Sequence, residues 1–91
     1  MTPTPKAALA QYYIVHGQPV RARKLVEELR KDFPDATITH YVNGEFLAAQ
    51  GQTEAAIKEL QLVLNDPNLP EPIRRRVQDQ IDRLQKGTPL P

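Results

Sequence analysis

Apolar residues recur every three or four positions along most of the chain, the spacing of one helix face and not the alternation of a strand. Ala22, Leu25, Val26, Leu29 and Phe33 follow that rule, as do Ala56, Leu60, Val63 and Leu64, and again Ile73, Val77, Ile81 and Leu84. Each set predicts an amphipathic helix with one buried stripe. A segment between the first two behaves differently: Ile38, Tyr41, Val42, Phe46, Leu47, Ala48 and Ala49 wrap around much of its helix. A helix that is apolar on several sides needs neighbours on several sides, so this one is expected at the centre. No stretch predicts a strand, and the expected fold class is all-α.

Helix breakers divide the chain into five such segments. Thr4 and Pro5 predict a cap and a first-turn proline for a helix running to about His16 and stopping at Gly17. Pro19 opens the second, which ends near Asp32 before Pro34. Asp35 is the expected cap of the third, ending near Gln50 at Gly51; Thr53 is that of the fourth, ending near Asn65 before Pro67. Pro70, Glu71 and Pro72 suit the first turn of the fifth, which ends at Lys86 and Gly87. Nine prolines therefore mark helix ends and do not signal disorder. Residues 1–4 and 88–91 are expected to fray.

The chain repeats itself. Gly17-Gln18 returns as Gly51-Gln52, an offset of 34, and at the same offset Ala22 meets Ala56, Val26 meets Leu60, Leu29 meets Val63, and Ala10 meets Gly44. Two helices per 34 residues resembles the tetratricopeptide repeat. Leu9-Ala10, Tyr13, Ala22 and Pro34 stand at the family's Leu-Gly, Tyr, Ala and Pro positions in one repeat; Gly44, Leu47 and Ala56 stand at its Gly, Tyr and Ala positions in the next. Lys6 and His40 occupy the family's Trp position, Asn43 its Leu position, and Pro67 closes the second repeat one residue early. The resemblance implies antiparallel helix–turn–helix repeats stacked as a short right-handed superhelix. One domain over residues 1–91 is expected: repeats at about 5–34 and 35–68, and a capping helix at about 70–86. That cap turns the opposite-charge pairs Arg75–Asp79, Asp79–Arg83 and Asp82–Lys86 to water. The first repeat has no such cap.

Charge alters this picture little. The net charge of +1 conceals +4 over residues 1–31, −5 over 32–66 and +2 over 67–91, an alternation that argues against a specific nucleic-acid binder. Arg21, Arg23 and Lys24, and then Arg74, Arg75 and Arg76, are the basic clusters. Consecutive helical residues point about 100° apart, so such runs spread around a helix and do not form a patch. No apolar run approaches the ~20 residues of a membrane span. The absence of Cys suits cytoplasm, periplasm or exterior alike.

Catalytic parts are scarce. His16 and His40 have no acid or thiol partners at ligand spacing, Ser is absent, and no Gly-rich loop cradles a phosphate. No enzyme, metal or cofactor is expected. The resemblance implies a concave groove lined by the first helix of each repeat. On this chain those positions are Gln11, Ile14 and Val15, then Tyr41, Glu45 and Ala48, then Arg75, Asp79 and Asp82. Tyr41 is the expected aromatic anchor, with inter-repeat packing as its alternative role. The carboxylate clamp of the family's chaperone-tail binders is missing. The expected function is a protein–protein interaction module, a scaffold or assembly part of a bacterial-type system that takes a peptide or helix of a partner. The alternatives are a homo-oligomer formed through the uncapped first repeat, and an accessory domain of a larger membrane- or export-associated protein.

Overall fold

Five helices carry about three quarters of residues 1–87, which are the residues that the computed structural model describes: α1 (Thr4–Val15), α2 (Pro19–Asp32), α3 (Thr37–Ala49), α4 (Thr53–Leu64) and α5 (Glu71–Gln85). No strand occurs among the described residues. α1 pairs with α2 and α3 with α4 as helix–turn–helix units, α5 packs on α4, and α3 packs against both helices of the first unit. The all-α class and the central place of α3 therefore hold.

The two units are built alike down to single hydrogen bonds. Gly17 and Gly51 take positive φ, 66° and 78°, the left-handed conformation that a residue with a Cβ adopts at a cost. Around them, Gln18 N–H donates to the Tyr13 carbonyl and Gln52 N–H to the Leu47 carbonyl, both at 2.9 Å and both 34 apart in sequence from their counterparts. Ala22 and Ala56 N–H then donate to the carbonyls of Gln18 and Gln52. The sequence repeat is thus a repeat of backbone geometry.

Two apolar clusters share α3. Ala7, Ala10, Ala22, Val26 and Leu29 of the first unit enclose Val42 and Phe46. Leu60, Val63, Val77 and Ile81 form the second cluster, with Tyr41, Ile73 and Leu84 packed against it. Leu29 and Leu60 are fully buried, and each such side chain contributes about 1.5–3 kcal/mol relative to an exposed one. The small residues permit close approach: a Cβ on Gly44 would stand 2.8 Å from Leu60 Cδ2.

The helix starts differ from expectation in one respect. No helix is capped by a side-chain hydrogen bond: Thr4, Thr53 and, in place of Asp35, Thr37 are first helical residues. Thr4 therefore belongs to α1 and not to a frayed tail. The fraying expected at 88–91 lies outside the described residues. Polar groups tie α3 and α5 to the segment after α4 instead. Thr37 Oγ1 donates to Asp66 Oδ2 at 2.8 Å, Asn68 N–H donates to Asp66 Oδ1, and Arg74 donates to the Leu64 and Asp66 carbonyls at 2.8 and 2.9 Å. Arg74 thereby satisfies the Leu64 carbonyl left open at the end of α4, and shares the Asp66 carbonyl with the Leu69 N–H. These bonds to Asp66 hold its carboxyl below the ordinary carboxylate value: first the Asn68 N–H, then the Thr37 hydroxyl.

Candidate functional site

The first helices of the two units, α1 and α3, touch at equivalent positions. Gln11 Nε2 donates to Glu45 Oε1 at 2.8 Å, a contact between residues 34 apart. α5 reaches the same place with Arg76 and Gln80, which act on both Glu45 and Tyr41. Gln11 and Glu45 are thus hydrogen-bonded between α1 and α3, and Tyr41, Arg76 and Gln80 lie near enough to that pair to act on its charge, a polar cluster drawn from three helices.

Its electrostatics are set by partial burial. The Glu45 carboxyl is pushed above its ordinary value by desolvation, against which the Gln11 hydrogen bond, the Arg76 charge and Gln80 act in that order. The Tyr41 phenol is raised too, by burial first and then by the Glu45 charge, while Arg76 and Gln80 lower it. Gln80 is buried, and its Oε1 has no hydrogen-bond partner among the described residues. An unpaired buried acceptor costs on the order of 1–3 kcal/mol.

Ile14 and Val15 lie one turn beyond Gln11. Ile14 packs against the first core and lines a cleft of about 340 Å³ with Ala22, Phe46, Ala49 and the turn at Gly17, Gln18 and Pro19. Val15 is exposed and is absent from that lining. Ala48 is half-buried.

On α5 the structure selects other residues than the sequence did. Arg75 is exposed and pairs with Glu71 at 3.6 Å, and Asp79 pairs with Arg83 at 2.9 Å. Asp82 accepts from Gln78 Nε2. None of the three joins the cluster. α4 is two residues shorter than α2 and the connection after it two residues longer, so α5 begins 34 residues after α3. The buried apolar residues nevertheless match α3 with α5 at an offset of 35: Val42 with Val77 and Phe46 with Ile81 are buried alike. At that offset Tyr41 and Glu45 correspond to Arg76 and Gln80. Matching those apolar pairs was the signal available in the sequence.

The basic clusters dissolve into separate local roles. Of three consecutive arginines, Arg74 closes the end of α4, Arg75 pairs with Glu71, and Arg76 faces the polar cluster. Arg21 lies over the Tyr13 ring at 5.8 Å and Arg23 over the Phe46 ring at 5.3 Å.

The histidines are also engaged locally. His16 stacks on Tyr12 at 4.0 Å between centroids, and His40 Nδ1 lies 3.3 Å from Glu59 Oε1, which also accepts from Asn43. Among the described residues no group of three His, Cys, Asp or Glu side chains is placed to hold a metal ion. No helix of the described residues is long and apolar enough to cross a membrane.

No family model, no curated protein and no solved structure matches this chain.

Proposed function

We propose that the chain is a non-catalytic, tetratricopeptide-like module that binds a peptide or helix of a partner protein along the face shared by α1, α3 and α5. The observation that carries this reading is the Gln11–Glu45 hydrogen bond joined from α5 by Arg76 and Gln80. Polar side chains from three alternate helices converge there although stacking alone calls for apolar ones. Burying a carboxylate in this way opposes folding, and a binding role accounts for its presence. Donors and acceptors of both kinds, beside the Tyr41 ring, suit the amides and side chains of a partner backbone. The cleft at Ile14 and Phe46 offers an apolar subsite one turn away.

The test is selection of binders from a random peptide library displayed on phage, followed by fluorescence-anisotropy titration of the selected sequences. Tyr41→Ala and Glu45→Lys should each weaken binding at least about tenfold, a loss of about 1.4 kcal/mol. Arg75→Ala should leave it unchanged. Selected peptides that bind Tyr41→Ala and Glu45→Lys as tightly as the native chain would remove the cluster from the interface and the reading with it.

A further inference from the structure

α2, α4 and α5 turn charge towards solvent: α2 carries Arg23, Lys24, Glu27 and Lys31, α4 carries Glu54 and Lys58, and α5 carries its ion pairs. α3 holds a single acid, the half-buried Glu45. α1 holds no acid, and its only Lys, Lys6, is paired with Glu28 of α2 at 3.4 Å. Its outward residues are Ala8, Leu9, Tyr12 and Val15, and the last three are 44%, 52% and 79% exposed.

The repeat says what kind of surface this is. At the offset of 34, Ala8 and Tyr12 correspond to Val42 and Phe46, the α3 residues that pack into the first unit. Phe46 is 5% exposed where Tyr12 is 52% exposed. The face that joins the second unit to the first is therefore present again on α1, with nothing among the described residues packed upon it. Tyr12 is also held in place, by stacking with His16 and by an edge contact with Tyr13. An aromatic ring fixed before contact loses little entropy on docking.

We propose that this face of α1 docks against the same face of a second copy, giving a two-fold symmetric dimer. Charge selects that occupant. A head-to-tail arrangement would set the stripe on the far end of the molecule, where α5 presents Arg75, Asp79 and Arg83. The same stripe on another copy is uncharged, and two of them meet without an unpaired charge between them. The contact is a single helix on its mate, smaller than the ~800 Å² per partner of a standard interface, so the dimer is weak, with a dissociation constant on the order of 100 µM.

Sedimentation equilibrium on the chain from 20 µM to 1 mM tests this. The expected result is a mass rising from one chain to two across that range. Tyr12→Glu and Val15→Glu, both at exposed positions, should stay monomeric throughout with unchanged far-UV circular dichroism. Leu62→Glu, at an exposed apolar site on α4, should dimerise like the native chain. The native protein lacks cysteine, so Ala8→Cys supplies the sole thiol and should cross-link on mild oxidation, whereas Leu62→Cys should not. A native chain that is monomeric at 1 mM overturns the proposal, even if the stripe is then found to bind a foreign protein. Dimerisation that survives Tyr12→Glu overturns it as well. None of these variants touches the polar cluster, so failure here leaves the peptide-binding reading standing.

Discussion

The sharpest test of the packing concerns Gly44 and Leu60. A Cβ added at Gly44 would stand 2.8 Å from Leu60 Cδ2, 2.9 Å from Leu60 Cγ and 3.5 Å from the Ala56 carbonyl oxygen. Leu60 is fully buried, so it cannot swing clear. Replacing a mid-helix glycine by alanine favours the helix by about 1 kcal/mol, while overpacking costs about 1–3 kcal/mol. Gly44→Ala should therefore destabilise the protein, by up to about 2 kcal/mol. Leu60→Val removes one methylene and should cost about 1 kcal/mol. The first unit carries Ala10 and Val26 at these two positions, both buried. The double variant Gly44→Ala/Leu60→Val copies that pair. It keeps the helix gain of about 1 kcal/mol, loses one buried methylene at about 0.8 kcal/mol, and should return to near native stability. The coupling between the two sites is then about 2 kcal/mol in the favourable direction. Urea and thermal unfolding followed by far-UV circular dichroism read it directly, since 1 kcal/mol moves Tm by about 4–8 °C in a domain of this size. Additive effects within about 0.5 kcal/mol would refute the packing argument.

Two further predictions follow from the polar contacts. Arg74→Ala strips the Leu64 carbonyl of its Arg74 donor and leaves the Asp66 carbonyl with the Leu69 N–H alone and should cost about 1–2 kcal/mol, whereas Arg75→Ala, at an exposed pair, should stay within about 0.5 kcal/mol; equal losses in urea titrations would refute the distinction. Glu45 and Asp66 should respond to pH with opposite signs. The folded state binds the Glu45 proton more tightly than the unfolded chain does, so this group favours folding below its unfolded value and loses that contribution as pH rises through its folded value. Glu45→Gln should accordingly raise Tm at pH 7 and lose that advantage by pH 3. The depressed Asp66 value does the reverse: its contribution exists above the unfolded value and fades as pH falls, so Asp66→Asn should lower Tm at pH 7 and matter less at pH 3. Parallel pH profiles for the two variants would contradict the assignment.

The helices and their order could be read from prolines, glycines and apolar spacing because those signals are local. The apolar stripes on α2, α4 and α5 supply the observed cores, and the 34-residue offset reappears as matched hydrogen bonds at Gly17 and Gly51. What escaped were choices settled between helices. Thr37 was free to cap its own helix but gives its hydroxyl to Asp66. Of the three ion pairs anticipated on α5, the one between Asp79 and Arg83 forms, while Arg75 turns to Glu71 and Asp82 to Gln78. The α5 side of the polar cluster, Arg76 and Gln80, lies one residue along from the positions that a fixed offset of 34 pairs with Tyr41 and Glu45, because the buried apolar pairs Val42–Val77 and Phe46–Ile81 match at 35. One residue is about 100° of rotation on a helix, enough to exchange Arg75 for Arg76.

The way α3 is shared also bears on how the chain acquires its shape. Each helix rests on those next to it or next but one along the backbone, so no closure has to wait for distant segments to find each other. Topologies of this kind reach the native state in microseconds to milliseconds. During synthesis the leading hairpin can close around Ala10 and Leu29 while later residues are still being added. Val42 and Phe46 then arrive on a surface already prepared to receive them.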